Sequence, residues 1–155
     1  MTFPHCEGVV LPEWIDANGH MNLAYYVVLF DQATDSMYDV LGVGQAYRDV
    51  TGNSTFTAET HTLYEREVRL GERVRVVPHL LGVDAKRLHY FHEMFHADEG
   101  HRVAAQELIA LHIDLRVRRV APFPPDLLER LQAAVKARGN QPMPHGVGRR
   151  IAMPT

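Results

Sequence analysis

The sequence predicts a two-layer α+β domain in which one antiparallel sheet curls around one long helix. Residues 23–41 are largely apolar and contain no Gly or Pro, which predicts the helix. Four later segments rich in β-branched and aromatic residues predict the sheet. The length of 155 residues and the 46% hydrophobic content suit one folded domain, which we expect to span residues 1–138.

The helix is expected from Leu23 to Leu41, with Asn22 as its N-cap and Gly42 as its C-terminal stop. Residues 23–30 are apolar on every side, which is typical of a helix enclosed by other structure. Three carboxylates follow at intervals of four residues: Asp31, Asp35 and Asp39. In the simpler interpretation these carboxylates form a solvated stripe on the helix. In the alternative interpretation they take part in the function of the protein.

Four strands are expected near residues 55–69, 72–82, 86–97 and 102–115. The breaks between them are short enough for hairpins, which predicts an antiparallel meander, and residues 8–11 add a possible fifth strand. A short closing helix is expected from Asp126 to Arg138. Residues 139–155 contain Pro and Gly without a period, so we expect a loose tail there.

Composition excludes several classes of protein. A formal charge of −3 argues against a nucleic-acid binder, which needs a basic surface. The longest apolar run, Leu23 to Phe30, is too short to cross a membrane, and no signal-peptide pattern opens the chain, so we expect a cytoplasmic protein. Cys6 is the only cysteine, which excludes an intrachain disulfide and a cysteine zinc cluster.

Residues 92–96 match the H-E-x-x-H pattern of zinc proteases. That chemistry needs a helix, on which both imidazoles reach one ion. The surrounding sequence alternates with period two, and on a strand His92 and His96 would lie roughly 13 Å apart. We therefore interpret the match as a strand and predict no metal site.

The segment that best fits a chemical role lies directly before the long helix. A carboxylate, two amides, a glycine turn and an imidazole converge there: Asp16, Asn18, Asn22, Gly19 and His20. The N-terminus of a helix favours developing negative charge. This suits acyl transfer, with Asp16 attacking or deprotonating water and the backbone amides of Asn22 and Leu23 holding the oxyanion. In the alternative interpretation these are only turn and cap residues.

The run from Trp14 to Asn22, followed by Tyr25 and Tyr26, resembles the signature of hotdog-fold acyl-CoA thioesterases of the 4-hydroxybenzoyl-CoA thioesterase type. The similarity extends over residues 8–125 and is strongest to the branch associated with carnitine breakdown, whose proposed substrate is betainyl-CoA. The resemblance implies acyl-CoA hydrolysis, with no cofactor beyond the CoA of the substrate. It also implies a homodimer or homotetramer with each pocket at a subunit interface.

The same resemblance assigns roles by position. Asp16 becomes the nucleophile or the general base, and His20 and Asn22 orient the carboxylate or the thioester. Other hotdog thioesterases carry their carboxylate on the central helix, so Asp31 and Asp35 are reserve candidates.

Glu59 and His61 lie two residues apart on a predicted strand, so they share a face and sit about 6.6 Å apart. They are candidates for the same pocket, with Asp16 from one chain and Glu59 from another, or they form an exposed polar face. The candidates for binding CoA phosphates are basic residues: Lys86, Arg87, Arg116, Arg118 and Arg119. The candidates for binding a quaternary ammonium are aromatic: Trp14, Tyr25, Tyr26, Phe30 and Tyr64.

Three hypotheses follow from these residues. The first is a metal-free acyl-CoA thioesterase. The second is a hotdog hydratase or dehydratase that uses His20 with a helix carboxylate. The third is a non-catalytic binder of acyl-CoA, since a fold does not determine its chemistry. The identity of the acyl group is left open by the sequence.

Overall fold

A 19-residue helix, α1 (Leu23–Leu41), lies across one face of an antiparallel sheet in the computed structural model, which describes residues 2–153. The strands are β1 (Cys6–Val9), β2 (Asn53–Tyr64), β3 (Arg73–Val83), β4 (Arg87–His96), β5 (Arg102–Asp114) and β6 (Arg119–Val120). The order across the sheet is β1-β3-β4-β5-β2, and β6 pairs with β5. The two shorter helices are α2 (Gln45–Thr51) and α3 (Pro125–Lys136). The predicted α+β architecture is confirmed, but the predicted meander holds only for β3, β4 and β5. β2 pairs with β5 and not with β3, so the first break is a crossover and not a hairpin.

Both predicted ends of α1 are confirmed. The Asn22 side chain accepts a hydrogen bond of 3.0 Å from the Ala24 N–H, which satisfies one of the unpaired donors of the first turn. Gly42 ends the helix with φ 75°, a left-handed conformation that glycine adopts without strain. Among residues 2–153, no helix combines the length and the apolar character that crossing a bilayer requires.

The core lies between α1 and the sheet. Phe30 and Met37 on α1 are fully buried against the sheet, and Leu127 and Leu131 of α3 close the far end of the same layer. Such burial contributes about 1.5–3 kcal/mol for each large side chain. Packing of one apolar face therefore fixes α1, and with it the position of the helix N-terminus.

The prediction that the first half of α1 is enclosed is wrong for a single chain. Leu23 is 60% exposed, and Val27 and Val28 are each about two-fifths exposed. In the described residues, β2 pairs with β5 along one side only, so its other edge is free along 12 residues. Such an edge is normally covered, because it is a template for pairing with another strand.

The segment after β2 departs from the predicted strand, which was expected to continue to residue 69. The chain leaves the sheet after Tyr64, and the N–H groups of Glu65 and Arg66 both donate to the Val103 carbonyl. Val68 is fully buried, and its carbonyl accepts a hydrogen bond of 2.8 Å from the Met21 N–H. This early turn brings residues 65–68 against the segment that precedes α1.

Part of the segment that we expected to be a loose tail is bound to the sheet face opposite α1, which corrects that prediction for residues 145–148. The Gly148 N–H donates to a Glu107 carboxylate oxygen at 2.7 Å, and the Arg102 guanidinium donates to the His145 carbonyl at 2.8 Å. A side chain at Gly146, where φ is 104°, would approach Leu63 to 2.9 Å. These contacts join residues that are far apart in the sequence, so no local sequence pattern in the tail predicts them.

The H-E-x-x-H segment lies on β4, so the strand prediction is confirmed. His92 is completely buried, stacks on Phe30 and lies 2.8 Å from the Thr34 hydroxyl. Burial lowers its pKa from 6.5 to about 3, so the ring is neutral at physiological pH. No three His, Cys, Asp or Glu side chains within residues 2–153 are grouped to hold a metal ion.

Candidate active site

The segment from Trp14 to Asn22 folds back on itself directly before α1. The Asp16 N–H donates to the His20 carbonyl at 3.1 Å, and the Asn22 N–H donates to the Trp14 carbonyl at 2.9 Å. Gly19 permits the reversal by adopting φ 79°. The turn therefore holds Asp16 beside the N-terminus of the helix, as the sequence predicts.

The Asp16 carboxylate is half-buried and accepts a hydrogen bond on each oxygen. The Asn18 N–H donates to Oδ1 at 2.8 Å, and the Asn22 amide nitrogen donates to Oδ2 at 3.3 Å. The other end of the Asn22 amide caps the Ala24 N–H. One side chain therefore joins the carboxylate to the helix N-terminus, where the helix dipole stabilises negative charge.

The two predicted oxyanion donors differ in their hydrogen bonding. The Asn22 N–H is already bonded to the Trp14 carbonyl and is not available, which corrects the prediction for that group. The Leu23 N–H donates no hydrogen bond within residues 2–153. The Leu23 N–H is the first amide of the helix. It directly follows Asn22, whose side chain bonds to Asp16. A donor in that position is typically worth about 2.7–4 kcal/mol to an oxyanion transition state.

His20 lies on the wall of an open groove of about 370 Å³ beside this turn. Its Nδ1–H donates to the Met21 carbonyl at 3.1 Å, which leaves Nε2 as the acceptor of the neutral ring. The remaining lining residues come from the start of α1 and from the end of β2: Met21, Leu23, Tyr26, Tyr64, Glu65, Arg66 and Glu67. The groove is therefore lined by His20 and Leu23, whereas Asp16 and Asn22 lie beside it and not in its lining.

Arg66 is a groove residue that the sequence analysis missed, and Glu65 is another. Both lie where the chain leaves the sheet, beyond the last residue of β2. One sequence feature could have identified them: the alternating strand pattern ends at three consecutive charged residues, 65–67. Glu67 bonds to Arg69 at 2.6 Å, which lowers the pKa of Glu67 and keeps it ionised. Glu65 is held in turn by the guanidinium of Arg102 at 3.0 Å.

The predicted aromatic residues divide into three groups. Phe30 is fully buried in the core, so it faces no substrate. Trp14 and Tyr25 stack on each other with their ring centres 5.2 Å apart, outside the groove lining. Tyr26 and Tyr64 meet edge to face at 5.2 Å and line the groove.

Glu59 and His61 share a face of β2, as predicted, but it is the face away from α1. In the sheet register His61 lies opposite Glu107, and Leu63 lies opposite Ala105. Directly opposed residues point to the same face, and Ala105 packs beneath the C-terminal segment. Within one chain, Glu59 and His61 therefore do not line a common pocket with Asp16.

The reserve carboxylates also lie away from the turn. Asp31 is eight residues beyond Leu23 on α1, which is about 12 Å along the helix axis. Asp35 is one further turn away, and burial together with the neighbouring Asp31 and Asp39 raises its pKa. Within one chain, neither carboxylate joins Asp16 and the Leu23 amide.

The predicted CoA-binding residues cluster at the opposite end of the sheet. Arg116 bonds to Asp114, which pairs with the first residue of β2, and Arg118 lies over the ring of Phe56. Arg119 is on β6, and Arg87 begins β4 at the same end, directly after Lys86. Tyr64 ends β2 about 35 Å from its first residue. In a single chain these basic residues are therefore too far from the groove to share a ligand with Asp16.

A family model for the Thioesterase-like superfamily matches residues 10–131. The chain belongs to this family, and its curled sheet around a long helix is the hotdog fold that the segment before α1 predicted. It is an acyl-CoA thioester hydrolase.

Individual relatives narrow the comparison. The chain is 42% identical over 148 residues to a betainyl-CoA thioesterase from Pseudomonas aeruginosa, a match that covers 96% of this chain and 93% of that protein. A candidate thioesterase from Pseudomonas putida is 34% identical with a TM-score of 0.82, covering 100% of this chain and 99% of that one. A Staphylococcus aureus protein solved in complex with CoA is 27% identical with a TM-score of 0.88, covering 99% and 98%.

Replacing Asn22 with Asp tests the link between the carboxylate and the helix. Aspartate keeps the capping oxygen, so the melting temperature should change little. The variant loses the donor to Asp16 and adds a like charge, and the misplaced carboxylate should lower kcat for thiol release from acyl-CoA about 100-fold. Asn18→Ala is the matched control, because Asn18 bonds to Asp16 through its backbone. Equal rates in Asn22→Asp and wild type would contradict this role for Asn22.

Proposed function

We propose that this chain hydrolyses betainyl-CoA to betaine and CoA, with the Asp16 carboxylate as the reacting group and the Leu23 N–H as the oxyanion donor. The observation that carries the proposal is the Asn22 side chain, which bonds to Asp16 and to the first turn of α1 at once. The Asp16 carboxylate, as nucleophile or base, and the Leu23 N–H, as oxyanion donor, are thereby held close to each other. Such preorganisation is the main source of catalysis in acyl transfer.

Two routes use this arrangement. In the first, Asp16 attacks the thioester carbon, the CoA thiolate leaves, and water hydrolyses the resulting mixed anhydride. In the second, Asp16 takes a proton from a water molecule, which attacks the same carbon and expels the thiolate. Both routes place negative charge on the thioester oxygen, where the Leu23 N–H can stabilise it. Nε2 of His20, which is on the groove wall, is an acceptor that can orient water.

The choice of acyl group is supported by two independent features. The Pseudomonas aeruginosa relative, 42% identical over nearly the whole chain, is a betainyl-CoA thioesterase. The groove beside His20 is also lined by the aromatic rings of Tyr26 and Tyr64, and Tyr64 is 46% exposed. A wall of that composition suits a cationic acyl group better than a fatty chain.

We propose further that two copies of this chain pair through β2. A second copy would cover the free edge of β2 and the exposed α1 stripe at Leu23, Val27 and Val28. Twofold pairing makes the two β2 strands antiparallel, so the partner's strand begins near the residue at which this strand ends. The arginines at the start of the partner's β2 would then stand beside this chain's groove, in reach of the CoA phosphates.

The function is tested by Asp16→Asn, which keeps the shape of the side chain and removes its charge. We expect kcat for betainyl-CoA to fall about 10²–10⁴-fold with little change in melting temperature, because the amide neither attacks nor accepts a proton. Thiol release monitored with a disulfide reagent measures it. An unchanged rate in Asp16→Asn, with Asp31→Asn or Asp35→Asn inactive, would assign the reaction to the helix carboxylates instead.

The shared site is tested by a mixed dimer of two differently tagged variants, Asp16→Asn and the double variant R116E/R118E. If each site takes Asp16 from one protomer and the arginines from its partner, one of the two sites in the mixed dimer is intact. We then expect about half of the wild-type kcat at an unchanged KM, although each parent homodimer is impaired. A mixed dimer with the raised KM of the arginine variant would show that the arginines serve their own chain's site.

A further inference from the structure

Tyr26 and Tyr64 form an aromatic corner in the groove. The Tyr26 hydroxyl donates to the Arg66 carbonyl at 3.2 Å, and the Tyr64 hydroxyl donates to the Leu23 carbonyl at the same distance. Both rings are therefore fixed by the backbone. Tyr26 is 3% exposed and backs the corner, whereas Tyr64 is 46% exposed and presents its ring to the groove.

The corner lies close to the expected position of the reacting carbonyl. Tyr64 is bonded to the carbonyl of Leu23, the residue whose N–H is the free amide at the helix N-terminus. In a betainyl thioester a single methylene separates the ammonium nitrogen from the carbonyl carbon, a distance of roughly 2.5 Å. The cationic head of an acyl group whose oxygen faces the Leu23 amide therefore stays within the groove that Leu23 and Tyr64 both line.

The carboxylates around the corner are paired with arginines, so the face of the Tyr64 ring is the feature that distinguishes a cation from a neutral group. Glu65 and Glu67 line the same groove, and Arg69 keeps Glu67 ionised by lowering its pKa. Burial raises the pKa of both tyrosines, so the rings remain neutral phenols with their hydroxyls as donors. Glu67 is paired with Arg69 and Glu65 with Arg102, and Arg66 is a further positive group of the lining.

We infer that Tyr64, backed by Tyr26, is the specificity-determining residue for a compact cationic acyl group, which it recognises through the face of its ring. This inference rests on the proposed function and assigns the acyl end of the site. The ring attracts a quaternary ammonium electrostatically and offers no such attraction to a neutral group of the same shape.

The test compares betainyl-CoA with 3,3-dimethylbutanoyl-CoA, in which carbon replaces the ammonium nitrogen and the shape is kept. Wild type should show a higher kcat/KM for betainyl-CoA. Tyr64→Leu should lower that preference roughly 3- to 30-fold, measured as the ratio of the two kcat/KM values so that a loss common to both esters cancels. The melting temperature of the variant reports correct folding. Tyr64→Phe keeps the ring and should keep the preference.

Tyr25→Leu is the matched control, because Tyr25 is stacked on Trp14 outside the groove lining. It should leave the preference unchanged. An equal loss on both esters in Tyr64→Leu, or a preference that changes only in Tyr25→Leu, would overturn the assignment while the hydrolase activity stands. Hydrolysis of neither ester by wild type would overturn the proposed substrate and this inference with it.

Discussion

The site depends on the two hydrogen bonds made by one amide side chain. Asn22 accepts from the first turn of α1 and donates to Asp16, so the cap of the helix also positions the carboxylate. An N-cap contributes about 1 kcal/mol to stability, which is enough to keep Asn22 in place. The buried face of α1 fixes the helix against the core. Because Asn22 caps this helix and bonds to Asp16, the Asp16 carboxylate is held in place relative to the rigid core.

In a single chain the groove and the candidate phosphate-binding arginines are far apart. The groove opens at the end of β2, whereas the arginines suited to phosphate lie at its beginning, about 35 Å away. The same strand has a free edge, and the helix beside it exposes apolar residues. Pairing of two copies along β2 would resolve both features at once, because antiparallel strands bring opposite ends together.

The sequence was most informative where the determinants are local. Caps define both ends of α1, and a Gly turn with a carboxylate before a helix is visible in residues 16–22, so the helix and the position of Asp16 beside its N-terminus were predicted correctly. The sequence left open which face of β2 carries Glu59 and His61, because that depends on pairing with β5 and on a bulge beside Ala58. A shift of one residue exchanges the two faces of a strand.

Other features depend on contacts between distant parts of the chain. Gln106 and His112 are polar residues buried toward α1, each satisfied by a distant partner, Thr62 and Tyr47. Composition does not reveal such pairs. The arginines were chosen from their residue type alone, which carries no information about the end of the sheet at which they lie. Arg66 reaches the groove only because β2 ends five residues earlier than its pattern predicts.

The most direct measurement is a crystal structure with the ketone analogue of betainyl-CoA, in which a methylene replaces the thioester sulfur and prevents hydrolysis. We expect the ketone oxygen about 3 Å from the Leu23 amide nitrogen and an Asp16 oxygen within about 3.5 Å of the ketone carbon. A ketone bound beside Asp31 or Asp35, with Asp16 free of contact, would contradict it.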